Sequence, residues 1–167
     1  MSATSRLWSR IDPNERQIVE RYMRDIPVKL GSLAKELGID VKLSSLPQNI
    51  SGQISKTPQG YEIKINRHES KRRQRFTLAH EIAHFLLHKP IIDSLGGSLR
   101  DNVLYRSGAS EQCEYEANRL ASQIIMPESA LRVARSRYGY RIGEHEIETL
   151  ANEFGVSKAA MEIRVAA

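Results

Sequence analysis

The sequence has 167 residues, of which 40% are hydrophobic and 27% charged, with a formal net charge of +5, and it fits one globular domain with a substantial core. No apolar run approaches the roughly 18 residues of a membrane span, and residues 1–17 lack the apolar stretch of a signal peptide. The single cysteine, Cys113, excludes an intramolecular disulfide and a cysteine-ligated structural zinc site, so we expect a cytoplasmic protein.

The N-terminal half contains two kinds of apolar period. Helical spacing predicts short helices over residues 19–26 and 30–37, which end before Pro27 and at Gly38. Apolar residues then alternate with polar ones, which indicates a small three-stranded sheet. The strands are expected at residues 39–43, 53–55 and 61–65. The last two, joined by a turn, form a structural hairpin or an edge that binds an extended peptide by strand addition.

A long helix is predicted from Ser70, a suitable N-cap, to His88, with Pro90 just beyond its end. This stretch contains neither proline nor glycine, and its second half is apolar over most of its circumference. We therefore expect a buried central helix. The following residues, 89–109, have no clear period apart from a strand around residues 103–105, which is typical of a lid or binding loop.

The C-terminal part is predicted to be helical. One helix is expected to be capped by Ser110 and to run through Ile125 until Pro127. Further helices are expected over residues 129–138, over residues 147–154 before a break at Gly155, and after Ser157. We predict one domain spanning 1–167, with an N-terminal extension (1–24), a core carrying the functional residues (25–127) and C-terminal helices (128–167).

The central helix carries the run His80-Glu81-Ile82-Ala83-His84. Histidines four residues apart project from one helix face and can share one tetrahedral ion, while Glu81 beside them can take a proton from water. An unpaired polar group in an apolar interior costs several kcal/mol, and a bound cation removes that cost. The HExxH pattern therefore predicts a metal centre with His80 and His84 as ligands and Glu81 as the general base.

A catalytic zinc site needs one more protein ligand and an open position. Glu116 fits best, because Leu120 and Ile124 follow it at intervals of four on an inward helix face. Glu114, like Glu111, is attributed to the first turn of its helix, where the helix dipole explains an acid. His88 is interpreted as a cap or a partner of a ligand. The other acids and histidines weighed were Asp93, Asp101, Glu128 and His145.

Other polar residues have open roles in the sequence. Asn118 either holds a ligand histidine or packs structurally. The donor that would stabilise an oxyanion is not identified among Tyr105, Tyr115, Tyr138, Tyr140, His88, Arg119 and His145.

Basic residues cluster at Lys71, Arg72, Arg73 and Arg75, and again at Arg132, Arg135, Arg137 and Arg141. They form either solvated helix faces or surfaces for nucleic acid or an acidic protein partner, and the first group is predicted to assist partner capture.

The sequence resembles the ImmA/IrrE metallopeptidases. The resemblance is carried by Arg75-Phe-Thr-Leu-Ala-His-Glu-Ile-Ala-His-Phe-Leu-Leu-His88, Glu116-Ala-Asn-Arg-Leu-Ala121 and Ile125-Met-Pro127, and by flanking segments at Leu33–Ile39 and Leu150–Ser157. It implies an α+β, zincin-like fold in which a small sheet lies beside the motif helix. It also implies His80, His84 and Glu116 as ligands and Glu81 as base.

The same resemblance implies one Zn²⁺ per chain, with Mn²⁺ as the alternative, and a metalloendopeptidase that cleaves a helix-turn-helix repressor. Cleavage would release stress-response, phage or mobile-element genes. No membrane partner is expected. The rival reading is a non-proteolytic DNA-binding or toxin-antitoxin regulator, because residues 30–38 and 150–164 each look like the start of a helix-turn-helix. Neither is surrounded by a complete three-helix module, and direct nucleic-acid binding is therefore disfavoured.

Overall fold

The structure is a computed structural model that describes residues 3–94, 98–100, 108–139 and 141–167, with side chains described in 6–94, 111–139 and 141–167. Helices and a small sheet alternate along the chain. The elements in order are α1 (Ala3–Ser9), α2 (Pro13–Tyr22), α3 (Leu30–Glu36), β1 (Ile39–Ser44), β2 (Gly52–Thr57), β3 (Gly60–Asn66), α4 (Lys71–Leu87), α5 (Lys89–Ser94), β4 (Ser98–Arg100), α6 (Gly108–Ile125), α7 (Glu128–Ser136), α8 (Glu144–Phe154) and α9 (Lys158–Ala166).

The sheet has the order β1-β3-β2-β4. Strand β1 runs parallel to β3, whereas β2 is antiparallel to both β3 and β4. The three predicted strands are confirmed, and β4 adds a short fourth strand. Ile54 on β2 lies opposite Ile63 on β3, and both are fully buried on the face that packs under α4. Because β2 lies between two strands and β3 does so too, neither is the free edge considered for strand addition.

Helix α4 is the predicted central helix. Ser70 caps it by accepting a hydrogen bond from the Arg73 amide, and His88 is its C-cap residue. Its buried apolar residues pack against β2 and β3 on one side and against α6 on the other. These residues are Ala79, Ile82, Ala83, Phe85 and Leu86. An apolar surface over most of the helix circumference is thus explained by neighbours on both sides.

Three boundaries differ from the sequence-based expectation. Helix α2 spans Pro13–Tyr22 and not residues 19–26, because Asp12 caps it and Pro13 suits its first position. Residues 89–94 form helix α5, because Pro90 occupies its first turn, where a missing amide hydrogen costs no helical hydrogen bond. Helix α6 begins at Gly108 rather than after Ser110. This moves Glu114 from the first turn into the second. The strand expected around residues 103–105 lies outside the described residues.

The C-terminal helices follow the prediction closely. Helix α8 ends at Gly155, which has φ of 68° and so adopts the left-handed conformation that glycine accommodates without strain. Ser157 then caps α9 by accepting a hydrogen bond from the Ala160 amide. Val156 and Met161, on either side of this cap, are fully buried. None of the helices in the described ranges combines the length and apolarity that a bilayer crossing needs.

The sheet packs tightly against α4 at Gly52, the first residue of β2. A Cβ atom there would lie 2.6 Å from Thr77 Cγ2 and 3.4 Å from Glu81 Cγ. We expect Gly52→Ala to force α4 away from β2 and to lower the free energy of unfolding by about 1–3 kcal/mol. Urea denaturation followed by circular dichroism measures this change.

The matched control is Gly31→Ala in α3, because a Cβ at Gly31 meets no atom within 4 Å. That substitution should leave the unfolding free energy unchanged or raise it by up to about 1 kcal/mol, since alanine has the higher helix propensity. If Gly52→Ala were as stable as Gly31→Ala, the close packing of β2 against α4 would be contradicted.

Candidate metal centre

Two histidines meet on the buried side of α4. His80 and His84 are separated by one helical turn and are 5% and 0% exposed. Their Nε2 atoms lie 3.1 Å apart, and their rings are nearly perpendicular. Both imidazoles therefore direct the same nitrogen toward one point at the contact between α4 and α6.

The third group at this point is Glu114 of α6, which is 5% exposed. Its Oε2 lies 3.0 Å from His80 Nε2, and its Oε1 lies 2.9 Å from His84 Nε2. One ligand atom from each residue lies within 4.8 Å of the other two. Tetrahedral ligands with bond lengths of about 2.0–2.1 Å lie roughly 3.3 Å apart, so these separations suit a common ion.

The other ring nitrogen of each histidine, Nδ1, is also hydrogen bonded. His80 Nδ1 lies 2.8 Å from Asn118 Oδ1, one helical turn beyond Glu114 on α6. His84 Nδ1 lies 2.9 Å from His88 Nδ1, and His88 Nε2 lies 2.9 Å from Glu116 Oε1. The Glu116 carboxylate accepts two further hydrogen bonds from Arg10, at 2.6 and 3.2 Å. Residues Arg10, Glu116, His88 and His84 are called the relay below.

The relay determines which nitrogen of each ring carries a proton. Burial lowers the pKa of His88 to about 4, so this ring is neutral at pH 7 and has one N–H. That N–H is on Nε2 and donates to Glu116, which leaves His88 Nδ1 as an acceptor for His84 Nδ1–H. His84 Nε2 then presents its lone pair to the centre. The amide oxygen of Asn118 sets His80 in the same tautomer.

Both glutamates near the centre are held ionised. Burial would raise the pKa of Glu114, but the contacts of its carboxylate with His80 and His84 outweigh burial and lower that pKa. Burial would likewise raise the pKa of Glu116, but hydrogen bonds from Arg10, His88 and Gln112 lower it to about 2. A carboxylate at position 114 therefore faces two imidazole lone pairs. This donor set suits a divalent cation that accepts nitrogen and oxygen ligands.

Glu116, predicted as the third ligand, lies elsewhere in the structure. It binds His88 and Arg10, and Glu114 takes the place beside His80 and His84. The reason is helical phase. Ala117 lies near the middle of the buried face of α6, and Glu114, three residues earlier, projects from nearly the same side. Glu116, one residue before Ala117, is rotated by about 100° and reaches His88 instead.

The remaining third-ligand candidates lie away from the centre. Asp93 contacts Lys56 and Tyr61, Glu128 pairs with Arg164, and Glu111 and His145 are exposed. Asp101 lies outside the described residues. Sequence reasoning missed both the place of Glu114 and the contribution of Arg10. The first had a usable signal, because Glu114, Ala117 and Ala121 share one helix face, but nothing in the local pattern connects Arg10 with Glu116.

Glu81 is fully buried beside the two histidines. Its Cγ lies next to Gly52 of β2, so the absence of a side chain at Gly52 leaves room for it. The sequence-predicted triplet of His80, Glu81 and His84 is thus brought together at one turn of α4, between the sheet and α6.

A groove with a volume of about 1090 Å³ opens beside the centre and is lined by both His80 and Glu114. Its walls come from the first half of α4, from α6 and from α9. Of the residues considered as oxyanion donors, Tyr115 and Arg119 line this groove, and Arg119 Nη1 donates to Tyr115 Oη at 3.0 Å. His88 is buried in the relay, whereas Tyr105 and Tyr140 lie outside the described residues.

Comparisons with known proteins identify the family and the fold. The model of a peptidase family described as IrrE N-terminal-like domain matches residues 34–166. No curated protein sequence matches significantly. A solved structure named Mycobacterium tuberculosis transcriptional regulator is similar in fold, with a TM-score of 0.61 and 14% sequence identity. The match covers 96% of this chain and 48% of that one, so the present chain spans about half the length of that protein.

The geometry predicts a graded loss of metal affinity. We expect Glu114→Ala to weaken Zn²⁺ binding by more than about 100-fold, since it removes a ligand. Glu116→Ala should weaken it by about 10–100-fold, because it removes only the acceptor that orients His88 and His84. Titration against a competing chelator measures both values, and Glu111→Ala, an exposed site on the same helix, is the control. A larger loss for Glu116→Ala than for Glu114→Ala would return the ligand role to Glu116.

Proposed function

We propose that this chain, which belongs to the peptidase family described as IrrE N-terminal-like domain, is a zinc-dependent endopeptidase. Membership in that family implies a metallopeptidase. The observation that carries the finer proposal is the convergence of His80 Nε2, His84 Nε2 and the Glu114 carboxylate at one end of a groove. Two histidines and one glutamate are a common protein ligand set of catalytic zinc in peptidases.

Each residue of the centre has a distinct part in this proposal. His80, His84 and Glu114 would hold the ion, and Asn118 and His88 would keep the two imidazoles in the tautomer that binds it. A zinc ion held there would supply Lewis acidity toward the scissile carbonyl and toward water. Glu81 would accept the proton of the attacking water and deliver it to the leaving amine. Its burial on the turn of α4 that carries both histidines supports this role by keeping the carboxylate beside the ligands.

The groove supports a peptide rather than a small molecule as the substrate. A volume of about 1090 Å³ exceeds what a drug-sized ligand fills, and the groove continues from His80 along α6 to α9. Following the resemblance to ImmA/IrrE peptidases, we propose a helix-turn-helix repressor as the protein that is cut. Its cleavage would release the genes that it silences, in the stress response or on a phage or other mobile element.

The decisive substitution is Glu81→Gln. Glutamine has nearly the same shape and leaves His80, His84 and Glu114 in place, so the variant should fold and bind zinc like the wild type. It cannot accept the proton of water, and cleavage should fall by roughly two orders of magnitude or more. The candidate repressor is incubated with zinc and with either the wild type or Glu81→Gln. The fragments that form are quantified by mass spectrometry.

His80→Ala is the companion variant, and it should lose both metal and activity because it removes a ligand. Equal cutting by wild type and Glu81→Gln would contradict the proposed mechanism. A non-proteolytic regulator behaves differently, since binding to an operator would survive both substitutions and no fragments would form. Zinc content is measured on the same samples. Activity lost with zinc retained indicates loss of the base, whereas activity lost together with zinc indicates loss of a metal ligand.

A further inference from the structure

The groove beside the metal centre is lined by an excess of cationic side chains. They are Arg72, Arg73, Arg119, Lys158 and Arg164, and Glu114 is the acid that accompanies them. Two of the five already have carboxylate partners, since Lys158 pairs with Glu144 and Arg164 pairs with Glu128. Within the described residues, the ion pairs of the chain include none of Arg72, Arg73 and Arg119. These three are called the groove arginines below.

The contacts of the groove arginines are with neutral groups. Arg72 donates to the side-chain oxygen of Asn152, and Arg73 Nη2 donates to Ser51 Oγ at 3.3 Å. Arg119 Nη1 donates to the Tyr115 hydroxyl, but its Nε is buried without a hydrogen-bond partner among the described residues. A guanidinium can bind a carboxylate through two parallel hydrogen bonds, so a carboxylate in the groove can replace the neutral partners of these arginines.

Arg75, by contrast, has a structural role between two helices. Its Nε donates to Gly155 O at 3.2 Å, and its Nη2 reaches Phe154 O at 3.5 Å, so it joins α4 to the end of α8. In the second basic cluster, Arg135 binds the Val165 carbonyl and Arg137 pairs with Glu153. The cationic surface that faces the metal centre is therefore composed of Arg72 and Arg73 from α4 and Arg119 from α6.

The groove also has apolar walls, which favour a peptide over a nucleic acid as its occupant. Phe76 and Ile163 line it, and Ile163 is 73% exposed. Exposed apolar side chains in a concave site gain from covering by side chains of a ligand. The phosphate backbone of a nucleic acid satisfies the arginines but leaves these walls in water.

We propose that the groove binds an extended segment of the substrate in which acidic side chains alternate with apolar ones next to the scissile bond. The acidic side chains bind the groove arginines, and the apolar side chains cover Phe76 and Ile163. Arg119 contributes most, because it lies on the same helix as Glu114, five residues further along. This specificity rests on the proposed peptidase function for its site, but peptide binding is measurable without cleavage.

The test uses two fluorescein-labelled peptides of equal length, one alternating glutamate with leucine and one alternating glutamine with leucine. Fluorescence anisotropy is measured on the zinc-loaded Glu81→Gln protein, so that no peptide is consumed. The glutamate peptide should bind at least about tenfold more tightly than the glutamine peptide at low salt, and the difference should shrink as salt rises. Equal affinities would overturn the proposal, whether or not the wild type cuts any repressor.

Substitutions of the groove arginines test which of them cause the preference for the glutamate peptide. Arg119→Gln should weaken the glutamate peptide by about tenfold and leave the glutamine peptide unchanged, while Arg119→Lys should retain part of the difference. The double variant Arg72→Gln/Arg73→Gln should act in the same direction. Arg132→Gln, an exposed position on α7 away from the groove, is the charge-matched control and should change neither affinity. An equal effect of Arg132→Gln would show non-specific attraction and would overturn the assignment.

A labelled single-stranded DNA with the same number of negative charges is the last arm. If the DNA binds more tightly than the glutamate peptide, and Arg119→Gln weakens it equally, the groove is a nucleic-acid site and the proposal is wrong. Weaker DNA binding supports the peptide, because DNA lacks the apolar side chains that cover the walls. Failure of the repressor to be cut, combined with selective binding of the glutamate peptide, would reject the proposed repressor substrate and retain this inference.

Discussion

The contact between α4 and α6 places three electron-pair donors at one point in the protein interior. His80 Nε2, His84 Nε2 and the Glu114 carboxylate lie within about 3 Å of one another, and each of the three residues is at most 5% exposed. Their lone pairs repel unless positive charge lies between them. The relay and Asn118 fix both rings in that arrangement. The one N–H of each ring is on Nδ1, where His80 contacts Asn118 and His84 contacts His88. The position of a cation is therefore specified before any cation binds.

The central part of the site could be predicted from local spacing, and its periphery could not. Histidines at an interval of four on an apolar helix determine both the helix and the shared direction of the rings. Which acid lies beside the two histidines depends instead on where α6 begins, and the sequence placed that start too late. Glu114 and Glu116 are two residues apart, a rotation of about 200°, so they project from different sides of α6, and apolar spacing alone favoured Glu116. Pro90 was similarly ambiguous, since proline suits the first turn of a new helix as well as the end of an old one.

The charge pattern gives a second example of what sequence order hides. Four basic residues at 71–75 form one cluster along the chain, yet they have at least two different roles in space. Arg72 and Arg73 line the groove, while Arg75 joins α4 to the carbonyls at Phe154 and Gly155. Arg119 joins the groove from another helix. The turn of α4 thus separates basic residues that are neighbours in the sequence. The basic residues that line the groove come from different helices.

The relay begins at Arg10, which lies outside the segment matched by the family model. Thermodynamic linkage makes this contact reciprocal: whatever factor the Arg10–Glu116 pair adds to cation affinity, the bound cation adds to the docking of the N-terminal residues on α6. Trp8 strengthens that docking by donating from its indole to Gln123, on the same helix as Glu116. The order of the first helix and the occupancy of the metal centre are consequently two readouts of a single equilibrium, and hydrogen exchange near Trp8 would report the binding of an ion at the centre.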